Sequence, residues 1–410
     1  MLFLKVLLKR HLALLWSSQV LSAMGDYFYE IAVMWIAIKV AGSVGSIVAA
    51  AESGATLLFG LLGGVYADRW NRQTTMIVVN IIQAIAVGTL PILAWLGGLQ
   101  LWYLILVAIL VGSVGALFSP ALQASLPALA GDSSTLQATN GLMDITRRLA
   151  RALGPSLAGL LVAFMPLTQF FTLDSISFVI SALAILFLGR NFAWKPERDE
   201  QSKHGVSGIV EELVGALRLV HMHAPLLWAI VAGGFISAAW SAAFVVGAPL
   251  LADRVLHANV GAYGFIVGAY GVGNVLSNLV VGSLTIKRRV MMMLVGKLVV
   301  AGGFLFMVSI PVLPVALLGS ALAALGGPMG DIPILMMMQM DLPANSIGKI
   351  YSLRITISEA GSALGLLLAA PLYHYLSVPI AIICCALVIA ATSVLGLMRF
   401  GFAEPVIKNA

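Results

Sequence analysis

Carboxylates inside long apolar segments are the residues of this sequence best suited to do chemistry. Asp26 and Glu30 lie in the first apolar run, and Glu52 lies in the second. The i, i+4 spacing of the first two places their side chains on one face of a helix. Burial in a medium of low dielectric, and a like charge one turn away, both disfavour an ionised carboxylate. The pattern predicts groups that take up and release protons, or that bind a cationic or polar ligand group. The alternative is that some of them only join helices by hydrogen bonds.

Other polar residues lie at similar depth. Asp331 stands between Gly330 and Pro333, where a broken helix would offer backbone groups to a ligand. Lys297 and Glu359 are candidates for an ion pair. A charged side chain at the bilayer centre costs about 2.5–3.5 kcal/mol on insertion scales, so each of these residues is expected to face water or a partner. The predicted proton-coupling residues are Asp26, Glu30, Glu52 and Asp331, and the predicted cavity residues are Gln19, Ser22, Asp26, Glu30, Arg151, Asp174 and Glu359.

A cluster of charges lies in the fifth apolar run. Asp144 and Arg148 are four residues apart, and Asp144 and Arg151 are seven apart, so all three share one helix face. Two interpretations remain open for Arg151. It belongs to an ion-pair gate with Asp144, or it binds an anionic group of a substrate in a cavity.

The composition indicates what positions these residues. Of 410 residues, 60% are hydrophobic and only 10% are charged, which no ordinary soluble domain matches. A helix needs about 20 apolar residues to cross a bilayer, and about twelve such runs occur. The sequence therefore predicts an all-α integral membrane protein. The predicted spans are Leu12–Val40, Val44–Tyr66, Thr74–Leu96, Leu101–Leu126, Ala138–Met165, Leu167–Leu188, Pro225–Leu251, Gly261–Leu284, Val290–Ile310, Val315–Met340, Ser346–Tyr373 and Val378–Leu397.

The net charge of +6 follows the loops rather than any compact basic patch. Alternate loops carry most of the lysines and arginines, which by the positive-inside rule places both chain ends in the cytoplasm. This argues against nucleic acid as a partner and predicts a multi-pass membrane protein. The sequence has no N-x-[ST] glycosylation acceptor, which is consistent with a bacterial inner membrane. The basic positions are Lys5, Lys9, Arg10, Arg69, Arg72, Arg190, Lys195, Arg198, Lys203, Lys287, Arg288, Arg289, Lys349 and Arg399.

A polar stretch, Arg190–Gly205, divides the chain into two halves of six predicted spans. Apolar residues at helical spacing follow it, with charges on the other side, which is typical of a helix lying on a membrane surface. The predicted organisation is a six-helix bundle over residues 1–189, a cytoplasmic linker with a surface helix over 190–222, and a second six-helix bundle over 223–410.

Two short motifs carry a family resemblance. Gly64, Asp68, Arg69 and Arg72 lie between the second and third spans, and this spacing resembles the corresponding loop of the major facilitator superfamily. In the fifth span, Gly154, Pro155 and Gly159 resemble the glycine–proline motif of the superfamily's proton-coupled exporters. With Ser22 and Asp26 in the first span, the whole chain is similar to the macrolide-efflux and enterobactin-exporter branch. Together with the gate residues predicted from helical spacing, the predicted gate and motif residues are Gly64, Asp68, Arg69, Arg72, Asp144, Arg148, Gly154, Pro155 and Gly159.

The resemblance implies the major facilitator fold of two pseudo-symmetric bundles and proton antiport through alternating access. The implied cargo is an amphipathic small molecule, a drug-like compound or a siderophore, and the implied state is a monomer surrounded by lipid. Solute uptake by symport or uniport is the first alternative, and a non-transporting receptor or scaffold is the second. No enzymatic signature occurs, no cofactor is implied, and the methionine runs at 291–293 and 336–338 are interpreted as apolar packing rather than a metal site.

Overall fold

The computed structural model describes residues 6–66, 71–188, 214–215, 217–342 and 347–401. Twelve long helices make up this part of the chain, and no strand occurs within it. The helices are α1 Arg10–Ala41, α2 Ser46–Tyr66, α3 Arg72–Trp95, α4 Leu101–Ala130, α5 Ser133–Leu161, α6 Gln169–Phe187, α7 Ala224–Val255, α8 Val260–Ser283, α9 Arg289–Met307, α10 Leu313–Met340, α11 Ile347–Tyr375 and α12 Val378–Gly396.

Most of these helices can cross a membrane. Ten helical stretches in the described ranges have the length and apolar composition of a span, and one of them, Arg10–Gly60, contains both α1 and the greater part of α2. The charge-rich α5 is the long helix that falls outside these ten. The predicted all-α membrane fold is confirmed. The largest shift in position is at α5, which begins at Ser133 rather than Ala138 and ends at Leu161 rather than Met165.

Short polar caps fix several helix ends. The side chain of Asn71 accepts a hydrogen bond from the Thr74 amide at the start of α3. Asp132 does the same for Thr135 at the start of α5, over 2.8 Å. Each cap pairs one of the backbone donors that a helix leaves unsatisfied in its first turn. Only Gly131 and Asp132 separate α4 from α5, so the second cap also sets the turn between these two helices.

The two ends of the molecule pack differently. We call the end at which α1 begins and α12 ends the terminal face. Towards this face each half of the chain has a core of its own, one including Leu12 and Met76 and the other including Leu226 and Met293. Towards the opposite face, one shared core takes residues from both halves, such as Phe170 and Phe304. The halves are therefore joined at the opposite face and separated at the terminal face.

Three kinds of contact join the halves at the opposite face. The rings of Trp35 on α1 and Tyr263 on α8 stack with their centroids 6.0 Å apart. Lys39 on α1 forms an ion pair with Asp253 on α7. Small residues of α5 and α8 let the two backbones meet. Together these contacts close the opposite face.

Helix α7 contains two π-helical turns, Ser241–Val246 and Leu251–Val255, on either side of Gly247–Leu250. Pro249, in the middle of this region, has no amide proton to donate, which breaks the regular ladder. The Tyr373 hydroxyl of α11 donates a hydrogen bond to the Ala242 carbonyl over 2.9 Å, so this backbone acceptor of the first π-helical turn is paired by a side chain. Turns of this type are frequent at functional sites.

The predicted break in the tenth span is wrong. Helix α10 runs without interruption through Pro328 and Pro333, with Asp331 in its interior. A proline in a membrane helix removes one hydrogen bond, and neighbouring groups can compensate for it. The Ser277 hydroxyl of α8 donates over 2.6 Å to the Leu325 carbonyl, next to the Ala324 carbonyl whose helical partner would have been the amide of residue 328. The predicted linker lies outside the described residues, and the predicted surface helix is described only at residues 214–215 and 217–221, which are helical.

Candidate functional site

A large cavity lies between the two halves. It consists of two chambers, one of about 870 Å³ lined mainly by α1 to α6 and one of about 720 Å³ lined mainly by α7 to α12. We call these the first-half chamber and the second-half chamber. Both are lined by the same four residues, Glu30, Glu52, Thr56 and Glu359, so they form one space.

Three predicted carboxylates lie on the wall of this cavity. Helix α1 carries Asp26 and Glu30, whose surfaces are exposed to the cavity, and α2 carries the half-buried Glu52. Asp26 belongs to the first-half chamber, whereas Glu30 and Glu52 reach both chambers. Asp26 and Glu30, four residues apart, thus lie on the same face of α1, as expected from helix geometry. Glu359 of α11 is exposed on the same shared wall.

A fourth carboxylate, Asp174 of α6, is enclosed rather than exposed, with 1% of its surface accessible. The Ser177 hydroxyl lies 3.3 Å from its Oδ1, and no described residue bonds to its Oδ2. Asp174 lines the first-half chamber, as predicted from the sequence.

A polar cluster in the first-half chamber completes this wall. Ser181 of α6 accepts from the amide of Asn80 over 3.1 Å and from Gln19 over 3.4 Å. The predicted residues Gln19 and Ser22 both line the chamber. Sequence reasoning missed Asn80 and Gln83, although both stand inside the apolar third span and polar side chains at that depth are the same kind of signal as the acids.

Asp331 is held by two cations in the second-half chamber. Its Oδ1 lies 3.1 Å from the ammonium of Lys297 on α9 and 3.1 Å from the guanidinium of Arg354 on α11. The predicted pair between Lys297 and Glu359 is therefore not formed, since the ammonium reaches Asp331 instead. Arg354 was missed, because from the sequence it stands close to the start of its span and resembles a residue that extends to the lipid headgroups.

Aromatic side chains form the apolar wall of the second-half chamber. The indole of Trp240 donates to the Tyr270 hydroxyl over 2.9 Å. The ring centroids of Phe244 and Tyr270 are 4.4 Å apart. All three side chains line the chamber. They come from α7 and α8, and no spacing within one helix would have indicated that they meet.

The loop motif is described only in part. Gly64 lies in the last turns of α2, and Arg72 begins α3, where its guanidinium donates to the Ala124 carbonyl of α4 over 2.6 Å. Its Nε is buried with no hydrogen-bond partner in the described ranges. Asp68 and Arg69 lie outside these ranges. Asp144 is half-buried on α5, but the side chains of Arg148 and Arg151 are also outside them, so the gate remains a prediction.

The glycines of α5 lie at close helix contacts. A β-carbon at Gly154 would stand 2.8 Å from the β-carbon of Tyr27 on α1. One at Gly159 would stand 2.8 Å from the Gly261 carbonyl of α8, in the other half. Pro155 lies between them within the continuous helix, with its carbonyl facing Gly264. The motif thus brings α5 against both α1 and α8.

The arrangement suits binding and ion transfer within one cavity. Acids cluster on the shared wall and in the first-half chamber, cations lie in the second-half chamber, and an aromatic wall adjoins them. Among the described residues, no group of three or more histidine, cysteine, aspartate or glutamate side chains is arranged to hold a metal ion.

Comparison with known proteins agrees with this geometry. The chain is 26% identical to the multidrug efflux pump Tap of Mycolicibacterium fortuitum over 358 residues, 85% of each chain. It is 27% identical to macrolide efflux protein A of Enterococcus faecalis over 132 residues, which is 32% of this chain and 40% of that protein. A bacterial homologue of the human lysosomal transporter Spinster, solved in an inward-facing, unoccupied conformation, has the same fold. That match has a TM-score of 0.65 at 13% identity and covers 98% of this chain and 96% of the other.

The profile of the transmembrane secretion effector family, MFS_3, matches residues 4–404. This match spans both motifs and every helix described above. The predicted relation to the major facilitator superfamily is confirmed. The chain is a multi-pass membrane transporter with bacterial relatives, and it belongs to the transmembrane secretion effector family.

Proposed function

We propose that this transporter exports an amphipathic small molecule in exchange for protons by alternating access. The observation that carries the proposal is the position of Asp26, Glu30 and Glu52 on the wall of a cavity between the halves. That cavity is enclosed by one shared core at the opposite face, while the halves have separate cores at the terminal face. Acids that face water at membrane depth are the groups expected to carry protons.

The direction of opening follows from the charges. The loops at the terminal face hold most of the lysines and arginines, which favours the cytoplasmic side for this face and for both chain ends. The cavity would then be open to the cytoplasm in this structure. Alternating access would consist of two six-helix bundles, residues 1–189 and 223–410, rocking around the central site.

The nature of the cargo is inferred from the walls. Trp240, Phe244 and Tyr270 offer a flat apolar surface, and the acids offer partners for a basic group. Relatives named as pumps for multiple drugs and for macrolides support a drug-like compound. A siderophore is the second possible cargo. Neither requires a cofactor, and the transporter would work as a monomer surrounded by lipid.

Proton movement supplies the driving force in this proposal. With the cavity open to the outside, Asp26 or Glu30 would take up a proton. Release of that proton to the cytoplasm would leave the site free to accept substrate. A single charge crossing a potential of 100 mV gains about 2.3 kcal/mol, which supports a useful concentration gradient.

Inside-out membrane vesicles with an acidic interior test the proposal. They correspond to a cell with an acidic exterior, so a proton antiporter that exports its cargo accumulates it inside the vesicle. Macrolides, lipophilic dyes and catecholate siderophores are offered in turn. Accumulation of any of them that collapses with a protonophore supports export, and accumulation driven by the reverse gradient indicates uptake. Absence of gradient-dependent flux across the whole panel contradicts the proposal.

A further inference from the structure

Two cations share one carboxylate oxygen in the second-half chamber. Lys297 and Arg354 come from different helices, α9 and α11, and both reach Oδ1 of Asp331 at 3.1 Å. A carboxylate can accept two parallel hydrogen bonds from one guanidinium, but Arg354 forms a single bond to Asp331 here. The contacts with Asp331 therefore do not use all the donors of either cation.

The charge of this cluster does not balance. Two cations face one anion, and no other carboxylate of the described residues forms an ion pair with either cation. An excess positive charge at membrane depth is costly unless water or an anion solvates it. The cluster is therefore complementary to one further negative charge.

Exposure shows where that anion would bind. The side chains of Lys297 and Arg354 are only 15% and 24% exposed, whereas that of Asp331 is 53% exposed to the cavity. Gly330 makes room for the ammonium, since a β-carbon there would stand 2.6 Å from Lys297 Nζ. The cations are thus fixed in the wall, and the carboxylate lies in front of them. Asp331 occupies the position that a ligand carboxylate would share.

Charge is distributed unequally across the cavity. Among the described residues, the first-half chamber is lined by five acids and by no lysine or arginine. The second-half chamber is lined by both cations and the aromatic wall, and also by Asp331 and the shared acids Glu30, Glu52 and Glu359. Among charged side chains of the described residues, a molecule lying across both chambers therefore meets only acids in the first-half chamber and reaches the two cations in the second-half chamber.

We propose that Lys297 and Arg354 form a subsite for the carboxylate of a transported zwitterion, whose ammonium group lies towards Glu30, Glu52 and Glu359. This inference rests on the proposed function, because it names the chemical class of the cargo. The ligand has an aromatic body with an amine at one end and a carboxylate at the other.

A matched pair of ligands isolates the carboxylate. Ciprofloxacin is a fluorescent zwitterion of this shape, and its methyl ester keeps the ammonium group but lacks the anion. We expect purified full-length protein to bind ciprofloxacin more tightly than the ester. In Lys297→Gln and Arg354→Gln the affinity for ciprofloxacin falls about tenfold or more, because a charge-assisted hydrogen bond is lost, while the affinity for the ester changes less than about twofold.

Asp331→Asn provides a result that misfolding cannot imitate. Removing the competing carboxylate leaves both cations for the ligand, so the affinity for ciprofloxacin rises at least about threefold and that for the ester does not rise. Arg288→Gln is the matched control, since Arg288 is exposed at the terminal face, outside the cavity, and its loss changes neither affinity.

The outcomes separate this subsite from the export proposal. Gradient-driven transport of the ester tests export alone, because the ester does not need the subsite. Equal affinity of the wild-type protein for both ligands, or an equal loss for both in Arg354→Gln, overturns the subsite even if the ester is exported. A protein that binds neither ligand also contradicts it.

Discussion

Gly25 of α1 lies directly against the carboxyl group of Asp174 on α6. A β-carbon at position 25 would stand 2.5 Å from Asp174 Oδ1 and 2.6 Å from the Ser177 hydroxyl. Such distances are too short for real side chains, so α1 packs here only because residue 25 has none. Because Asp26 follows Gly25 directly, this contact also determines where Asp26 lies relative to α6. The buried acid and the exposed acid are therefore positioned by one glycine.

Gly25→Ala is expected to destabilise the protein. The added methyl group must displace Asp174 or separate α1 from α6, and overpacking of this kind costs about 1–3 kcal/mol. The melting temperature in detergent falls, and transport falls with it because Asp26 moves. Combining the change with Asp174→Ala removes one of the two side chains that the methyl meets, so the double variant loses less stability than the two single losses added together.

Gly302→Ala is the control for this experiment. Gly302 lies on α9, and a β-carbon there would meet no atom within 4 Å. Alanine is favoured over glycine in a helix by up to about 1 kcal/mol, so this variant should be at least as stable as the wild type. If Gly25→Ala melts at the wild-type temperature, the contact between Gly25 and Asp174 does not constrain the packing of α1.

The sequence was informative where a property depends on one helix at a time. Span positions follow from apolar length, and the shared face of Asp26 and Glu30 follows from helical spacing. Contacts between helices were not accessible in this way. The partner of Asp331 is an example, since Lys297 and Arg354 lie 34 and 23 residues away on other helices. Only the packing of α9, α10 and α11 determines that these three side chains meet.

The ion pair between Lys39 and Asp253 is predicted to favour the conformation closed at the opposite face. Their side chains are 54% and 21% exposed, so solvent screens the attraction and the pair is worth about 0–1 kcal/mol. Lys39→Gln should therefore leave the melting temperature nearly unchanged, yet raise the population open at this face up to about fivefold. Exchanging the two charges, with Lys39→Asp and Asp253→Lys together, should restore the wild-type population.

Cysteine labelling measures this population. Ile38 is 3% exposed in the shared core at the opposite face, so a cysteine there reacts with a membrane-impermeant maleimide only when the face opens. Cys384 and Cys385 are first replaced by serine. Labelling should be faster in Lys39→Gln and return to the wild-type rate in the charge exchange. If the charge-exchange variant labels as fast as Lys39→Gln, the attraction between the two charges does not control the opening.

Gly264 is predicted to matter more for closure than the ion pair. A β-carbon at this residue of α8 would stand 2.7 Å from the α-carbon of Gly159 and 2.8 Å from the Pro155 carbonyl of α5. These are backbone atoms, which cannot turn aside as a flexible side chain can. Gly264→Ala should cost the closed conformation about 1–3 kcal/mol and raise the labelling rate at position 38 about fivefold or more. A rate equal to that of Gly302→Ala would contradict close α5–α8 contact as a condition of closure.

Neutral replacements of the cavity acids distinguish proton coupling from substrate binding. Asp26→Asn, Glu30→Gln and Glu52→Gln keep side-chain size but cannot release a proton. If these groups couple proton movement to substrate movement, export driven by a pH gradient falls about 5- to 150-fold. This range corresponds to coupling free energies of about 1–3 kcal/mol. Exchange of labelled for unlabelled substrate at equal pH requires no proton movement and continues.

Asp132→Asn is the matched control, because asparagine also caps a helix and Asp132 lies at the start of α5, outside the cavity. If all three variants retain gradient-driven export, these acids are not the coupling groups. If both export and exchange are lost while the protein stays folded, the acids act in substrate binding, because only a group needed for coupling alone would spare the exchange.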